Sequence, residues 1–143
     1  LAGFLLQSPT LNIIFPWLVS IPLFFAIFGA IILAGFPDYE SDKEIGKRTL
    51  TVILGQRNAS LISMISIFIS IIFSIFIVYS GILGFASMIF LIAIIHGIVI
   101  LYFLFTLFME NTIEARIDKL LQISLTYILW FTIVPLLYLL NIF

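Results

Sequence analysis

Charge is confined to two short segments of this sequence, residues 38–57 and 110–119. The remaining stretches, 1–37, 58–109 and 120–143, contain no Asp, Glu, Lys or Arg. Charged residues make up 9% of the chain and hydrophobic residues 64%, whereas roughly a quarter of the residues in a soluble domain are charged. A soluble domain of this size needs more polar surface than this composition supplies. We therefore expect an integral membrane protein in which the two charged segments contact water.

The uncharged stretches predict an all-α fold, a multispan transmembrane helical bundle. An α-helix rises about 1.5 Å per residue, so about 20 apolar residues cross a hydrocarbon core of roughly 30 Å. Four spans are predicted, at residues 13–36, 59–79, 82–108 and 123–140. We expect residues 1–143 to form a single transmembrane region.

The two charged segments are predicted to lie on one side of the membrane. The Ser80-Gly81 turn is short, so the second and third spans form a hairpin that brings both segments to the same side. All six Lys and Arg lie in these segments, and cytoplasmic loops carry an excess of such residues. We therefore expect the charged loops to be cytoplasmic, at the cell membrane. The net charge of −1 does not suggest nucleic-acid binding, and the absence of Cys excludes thiolate metal ligands.

Polar residues inside the second and third spans predict contacts between helices. His96 lies within the third span, where an ionisable side chain is either functional or held by a neighbouring helix. We favour a neutral His96 that hydrogen-bonds to a neighbouring helix. Five serines of the second span recur every three or four residues and share a helix face that we expect to turn towards other helices. They are Ser60, Ser63, Ser66, Ser70 and Ser74.

The first charged segment has a pattern typical of metal and phosphate binding. Asp38 and Asp42 are four residues apart, so on a helix their carboxylates share a face, with Cβ atoms about 5–6 Å apart. Two such carboxylates repel each other unless a cation lies between them, and Mg2+ prefers oxygen ligands of this kind. Lys43, Lys47 and Arg48 would neutralise the remaining oxygens of a metal-bound diphosphate. The alternative interpretation is a solvated loop of mixed charge.

The second charged segment permits two interpretations. Glu114 and Asp118 are also four residues apart, with Arg116 and Lys119 beside them. This pattern favours a short surface helix with paired charges. A second loop that faces the diphosphate is the alternative.

The first charged segment also resembles a family motif. The pattern Asp38-x-x-x-Asp42-x-x-x-Gly46-x-x-Thr49-Leu50-x-Val52-x-x-Gly55, directly after an apolar span, resembles the second aspartate-rich motif of the UbiA-type membrane prenyltransferases. In that family about nine helices surround a cavity, and two aspartate-rich loops bind Mg2+ and a polyprenyl diphosphate. The resemblance implies that Asp38 and Asp42 are catalytic metal ligands, and that Lys47 or Arg48 faces the diphosphate.

The resemblance further implies Mg2+-dependent transfer of a polyprenyl group from its diphosphate to an acceptor in the lipid bilayer. Residues 37–50 are most similar to the 1,4-dihydroxy-2-naphthoate branch of menaquinone biosynthesis, whose acceptor is an aromatic quinone precursor. Archaeal members that transfer a geranylgeranyl group to a glyceryl phosphate lipid tend to have Gly where this chain has Ser41. The non-enzymatic alternatives are a transporter, with the Asp38 segment as a cation vestibule and His96 as a relay, or a structural membrane subunit.

One part of the family pattern has no counterpart in this sequence. The family's first motif, Asn-Asp-x-x-Asp, does not occur in residues 1–143. We therefore expect the chain to be the C-terminal part of such an enzyme, with the missing N-terminal helices as its partner. Because those helices would carry half of the metal site, this fragment by itself is expected to be inactive.

Overall fold

The computed structural model describes residues 14–84, 87–110 and 114–139. The side chains of some residues near helix ends lie outside this description, namely those of 14–16, 110, 114–118, 135, 138 and 139. Five helices make up most of the described chain: α1 (Ile14–Ala34), α2 (Tyr39–Glu44), α3 (Leu50–Ser80), α4 (Ser87–Glu110) and α5 (Glu114–Leu139). The described residues contain no strand, so the predicted all-α fold class is confirmed.

Three of these helices are long and apolar enough to cross a membrane. The apolar stretches are Trp17–Ala34 in α1, Leu50–Ser80 in α3 and Ser87–Met109 in α4. Helix α5 contains a shorter apolar stretch, Lys119–Val134, at the position of the fourth predicted span. The described residues therefore form a multispan helical bundle, as the sequence predicts.

The four long helices pack around a shared core. Helix α1 contacts α3 and α5, and α4 contacts the same two helices, while the short α2 rests against α3. Aromatic rings fill part of the core. The centres of the Phe90 and Phe131 rings lie 5.8 Å apart, and those of Tyr127 and Phe131 lie 5.1 Å apart, both edge to face. Such pairs stabilise the packing beyond the apolar area that they bury.

The predicted serine face of α3 is confirmed, because all five serines are buried. Ser63 Oγ donates a hydrogen bond to the Gly29 carbonyl (2.9 Å), and Ser70 Oγ donates to the Pro22 carbonyl (2.8 Å). Gly29 permits this close approach, since a Cβ there would lie 3.1 Å from Ile67 Cδ1. In a bilayer, close packing of small residues and hydrogen bonds between helices drive association. The serine face therefore holds α3 against α1 through these hydrogen bonds and close packing.

Helix α3 begins earlier than the predicted span. Thr49 caps its first turn, where the Val52 N–H donates to Thr49 Oγ1 at 3.4 Å, so the helix starts at Leu50 and not at residue 59. Gly55 then interrupts the helix with φ 73° and ψ 154°, a conformation essentially reserved for glycine. The interruption at Gly55 separates the short first part of α3, residues 50–54, from the long apolar helix that the sequence predicted.

Helices α4 and α5 also begin away from the predicted positions. Gly81 (φ 63°) and Gly84 (φ 52°) hold left-handed conformations, so the chain turns over residues 81–84, and α4 begins at Ser87 and not at residue 82. Helix α5 begins at Glu114 and not near residue 123. Residues 114–119 of the second charged segment are therefore helical, as predicted, but they form the first turns of the long α5 and not a short helix of their own.

Candidate functional site

The candidate site lies where α1 ends, α2 forms and α3 begins. The two long helices approach closely here, since Thr51 is buried and its Oγ1 donates to the Ile32 carbonyl at 3.1 Å. Gly35 permits the approach, because a Cβ at that position would overlap Thr51 Oγ1. This contact fixes both ends of the segment that carries the two aspartates.

Asp38 and Asp42 stand one helical turn apart. The Asp42 N–H donates to the Asp38 carbonyl at 2.8 Å, so Asp38 immediately precedes α2 and Asp42 lies within it. Ser41 Oγ donates to the same carbonyl at 3.0 Å and tightens the turn. The two residues differ in environment, because Asp38 is exposed whereas Asp42 is only 5% exposed.

Lys47 neutralises the buried aspartate. Its Nζ donates to Asp42 Oδ1 at 2.9 Å, in an ion pair whose side chains are 58% and 7% exposed, respectively. A buried carboxylate without a partner is strongly unfavourable, so Lys47 makes the burial of Asp42 tolerable. The hydrogen bond to Asp42 raises the pKa of Lys47, and the charges of Asp42 and Asp38 raise it further. Asp38 therefore lies within electrostatic reach of the same ammonium.

The direction of this shift sets the upper end of the pH range in which the ion pair persists. Because the pKa of Lys47 is raised above its ordinary value of 10.5, the contribution of the protonated ammonium to stability is fully present below pH 10.5. It is lost as the pH rises through the raised pKa. Lys47 is therefore cationic at neutral pH, as an anion-binding residue must be.

Gly46 turns the chain so that Lys47 returns to Asp42. The Lys47 N–H donates to the Asp42 carbonyl (2.8 Å), and the Gly46 N–H donates to the Lys43 carbonyl (3.2 Å). Together these bonds form a Schellman motif, which places a left-handed residue just after the helix, and Gly46 has φ 70°. The first glycine of the sequence motif therefore has a structural role, since it positions an ammonium beside the buried carboxylate.

The other two predicted cations, Lys43 and Arg48, are exposed and form no ion pair among the described residues. The Lys43 ammonium lies 5.6 Å from the centre of the Tyr39 ring, a cation–π contact at the surface of α2. Of the five predicted site residues, the structure brings the two aspartates and Lys47 together. The binding roles of all five stay predictions.

Arg57 is a cation at this end of the bundle that the sequence analysis did not single out. Its guanidinium lies 5.0 Å from the centre of the Phe108 ring. The contact places the beginning of α3 beside the end of α4, so both charged segments lie at one end of the bundle, as predicted. Local spacing gives no signal for a contact between residues so distant in the chain. The side chains of Glu114 and Asp118, the predicted alternative second loop, lie outside the described residues.

The donor set at this end of the bundle suits Mg2+. The described residues hold no cluster of three or more His, Cys, Asp or Glu, which a site built entirely from side chains would need. Mg2+ instead takes one or two carboxylates and completes its coordination with water and phosphate oxygens. Asp38 and Asp42 meet that requirement, and Lys47 adds a cation for the phosphate oxygens.

His96 joins two helices, as predicted. The Trp130 Nε1–H donates to His96 Nδ1 at 2.9 Å and so connects α5 to α4. A ring nitrogen that accepts a hydrogen bond carries no proton, so His96 is neutral in this arrangement. A second polar contact crosses the bundle, where the oxygens of Ser70 and Tyr127 lie 3.0 Å apart. Internal hydrogen bonds of this kind are what a bilayer requires of buried polar groups.

The aspartates and glycines at the charged end lie within the part of the chain that matches a protein-family model. The model of the UbiA prenyltransferase family matches residues 1–132 of the 143-residue chain. This chain belongs to the UbiA prenyltransferase family. It matches no curated protein and no solved structure.

Membership in the UbiA family supports a membrane prenyltransferase that acts on a lipid substrate in a bilayer. The three helices that are long enough to cross a membrane agree with that assignment, so this UbiA-family protein is an integral membrane protein. The resemblance seen in the sequence is thus confirmed at the level of the family. Its assignment to the 1,4-dihydroxy-2-naphthoate branch stays a prediction.

Proposed function

We propose that this UbiA-family protein transfers a polyprenyl group from a polyprenyl diphosphate to an aromatic quinone precursor, with Mg2+ as its cofactor. One observation carries the proposal. Two aspartates stand one turn apart at the charged end of an apolar bundle, and Lys47 forms an ion pair with one of them, Asp42. A polyprenyl diphosphate needs this combination, because its head is strongly anionic and its tail prefers an apolar environment.

Asp38 and Asp42 would hold the metal ion through their carboxylates. When bound, Mg2+ neutralises charge on the diphosphate and makes it a better leaving group. The exposed Asp38 is accessible to an incoming metal–diphosphate complex, whereas the buried Asp42 is held in place by Lys47. We therefore expect Asp38 to bind the incoming complex first and Asp42 to hold the metal ion in a fixed orientation.

The cations of the segment would bind the diphosphate oxygens. Lys47 has three N–H donors, uses one of them on Asp42 Oδ1 and is 58% exposed, so it can donate to an anion without leaving the carboxylate. Lys43 and Arg48 are exposed in the same segment, and a guanidinium can bind two phosphate oxygens at once. These residues stabilise the negative charge that develops on the leaving diphosphate.

The reaction breaks the C–O bond between the prenyl group and the diphosphate, which leaves with the bonding electrons. An electron-rich ring carbon of the acceptor then attacks the allylic cation, a C–C bond forms, and the ring carbon loses its proton. Water would capture the cation if it entered the site. The apolar helices next to the charged segment exclude it.

The acceptor that residues 37–50 favour is 1,4-dihydroxy-2-naphthoate, because this segment is most similar to that branch of the family. Ser41 replaces the Gly typical of ether-lipid members, and its hydroxyl bonds to the Asp38 carbonyl. We place the charged end at the cytoplasmic surface, because the two charged segments hold all six Lys and Arg of the chain.

The test is an activity assay on the full-length protein in lipid nanodiscs, with a radiolabelled polyprenyl diphosphate and 1,4-dihydroxy-2-naphthoate. We expect product that requires Mg2+, and a loss of turnover of about a hundredfold or more in Asp38→Asn or Asp42→Asn, since each removes charge stabilisation of the transition state. Glu40→Gln is the matched control, because Glu40 is an exposed carboxylate on the same short helix. Equal turnover in all three variants would refute the proposed roles of the aspartates.

A further inference from the structure

An apolar groove runs between α3 and α4 at the surface of the bundle. It has a volume of about 500 Å³ and is lined by large apolar and aromatic side chains. Several of them are about half exposed, such as Phe68 at 53% and Phe105 at 52%, so the groove is open along its side. The lining of this α3–α4 groove includes Met64, Ile65 and Phe68 of α3 and Leu101, Tyr102 and Phe105 of α4.

Arg57 lies in line with the α3–α4 groove, towards the charged end of the bundle. Arg57, Met64 and Phe68 occupy positions i, i+7 and i+11, so they share one face of α3. On α4, Phe108 lies one turn beyond Phe105 in the same direction. The guanidinium of Arg57 lies 5.0 Å from the centre of the Phe108 ring, so the two helices meet about 10 Å, or two turns, beyond Met64. This contact marks the end of the groove nearest to water.

The Arg57 side chain is exposed and can bind an anion at that end. A guanidinium that contacts an aromatic ring through its face keeps its five N–H donors in its own plane. Two of these donors can bind two phosphate oxygens at once. Side chains of an α-helix tilt towards its N-terminus, which in α3 is the charged end. The guanidinium is therefore directed towards the membrane surface, where the phosphates of lipids lie.

The side chains of the α3–α4 groove are typical of a surface that faces lipid. Contacts between membrane helices are rich in small residues, which let the backbones approach closely. Small residues of α3 and α4 make such contacts within the described bundle, since Ser63 bonds to α1 and a Cβ at Gly97 would lie 2.7 Å from Ile71 Cγ1. The groove is lined by none of these small residues. Phe68 and Phe105 would keep a further helix of the full-length protein at a distance, whereas a thin and flexible lipid chain fits between them.

We propose that the α3–α4 groove binds an anionic phospholipid of the leaflet next to the charged end. One acyl chain lies along the groove, and the phosphate binds to Arg57. Basic pockets between membrane helices are a general means of recognising anionic lipid head groups. This site is independent of the proposed function, because neither Arg57 nor the groove belongs to the diphosphate site.

The affinity of the full-length protein for two phospholipids tests the role of Arg57. Native mass spectrometry from detergent micelles compares phosphatidylglycerol with zwitterionic phosphatidylcholine, both with oleoyl chains. We expect the wild type to bind phosphatidylglycerol about tenfold more tightly, and Arg57→Gln to lose most of that preference, since one charge-assisted contact is removed. Lys119→Gln is the matched control, because Lys119 is an exposed cation of the other charged segment and lies outside the groove. An equal preference in Arg57→Gln and the wild type would overturn the proposal.

The role of the groove is tested by filling it. Ile98 lines the groove and is 55% exposed, so Ile98→Trp should fold and obstruct the acyl chain. We expect the binding of both lipids to weaken about tenfold, the contribution of roughly two buried methylene groups. Ile31→Trp on α1 is the control, because Ile31 is similarly exposed and lies outside the groove. Unchanged lipid affinity in Ile98→Trp would refute the placement of the chain.

A photoreactive phosphatidylglycerol with a diazirine in its acyl chain identifies the occupant. In the full-length protein it should label the parts of α3 and α4 that line the groove, and an excess of farnesyl thiodiphosphate, an analogue of the prenyl diphosphate, should not reduce the labelling. Labelling only elsewhere would mean that a further helix covers the groove. Competition by the analogue would assign the groove to the prenyl substrate. Either result would overturn the proposal.

Discussion

The Lys47 ammonium lies 2.9 Å from Oδ1 of Asp42, and a single left-handed glycine between them determines that distance. Gly46 closes the Schellman motif that folds the chain back over the end of α2, so the cation meets the carboxylate five residues before it. The pair lets a carboxylate be buried at the rim of an apolar bundle while it keeps its charge. In the proposed function, the pair also supplies a cation for the phosphate oxygens of a prenyl diphosphate.

Replacing Lys47 with Met should weaken binding of the prenyl diphosphate. The variant removes a cation from the phosphate oxygens and leaves the Asp42 carboxylate buried without its partner. We expect KM for the prenyl diphosphate to rise about tenfold or more, since one charge-assisted hydrogen bond is lost. Lys43→Met is the comparison, and we expect a smaller effect there, because Lys43 also belongs to the proposed diphosphate site but contacts the Tyr39 ring and not the aspartates. A larger effect at Lys43 than at Lys47 would contradict this account.

Replacing Gly46 with Ala should loosen the segment without filling any occupied space. A Cβ at Gly46 meets no atom within 4 Å, so the effect comes from the left-handed backbone, which disfavours Ala by about 1 kcal/mol. We expect a lower thermal midpoint and weaker diphosphate binding. Gly46→Asn should have a smaller effect, because Asn tolerates the left-handed conformation better than Ala does. If Ala and Asn behaved alike, the backbone explanation would have to be abandoned.

Much of this arrangement could be predicted from the sequence, because it depends on local periodicity. The four-residue spacing of Asp38 and Asp42 fixes one helical turn, and the repeated serines of α3 fix one buried face. The two charged segments predict which end of the bundle contacts water. None of these features depends on contacts between distant parts of the chain.

The remaining features depend on tertiary contacts and on backbone conformation. The burial of Asp42 follows from how α2 rests on α3, which spacing does not reveal. The contact of Arg57 with Phe108 joins two helices across a hairpin. The early start of α3 follows from the Thr49 cap, and Gly55 then interrupts the helix with a backbone conformation that a pattern of apolar residues does not encode.

Replacing Ser70 with Ala should destabilise the bundle at its core. Its hydroxyl bonds to the Pro22 carbonyl and lies 3.0 Å from the Tyr127 oxygen, so one side chain links three helices. Hydrogen bonds between membrane helices contribute about 0.6 to 2 kcal/mol each, and we expect a loss of that order in unfolding by denaturing detergent. Ser20→Ala is the control, because the Ser20 hydroxyl bonds to the Trp17 carbonyl of its own helix. Equal losses in both variants would argue against the link.

The orientation in the membrane can be tested by labelling single cysteines. The chain has no Cys of its own, so a Cys at Lys43 and a Cys at Tyr79 report the two ends of the bundle separately. Both positions are exposed, Tyr79 to 91%. In intact cells, a membrane-impermeant maleimide should label Tyr79→Cys and spare Lys43→Cys until the membrane is opened. The reverse pattern would place the charged end outside the cell.

In the proposed reaction, Asp38 and Asp42 together hold a metal ion that binds the diphosphate. The most direct measurement is the binding of farnesyl thiodiphosphate to the full-length protein as a function of Mg2+ concentration, in the wild type and in the variant with both aspartates changed to Asn. We expect Mg2+ to strengthen binding at least tenfold in the wild type, a gain that one charge-assisted contact would supply, and to have no effect in the double variant. A double variant that binds the analogue as tightly as the wild type, with the same dependence on Mg2+, would contradict the proposed metal site.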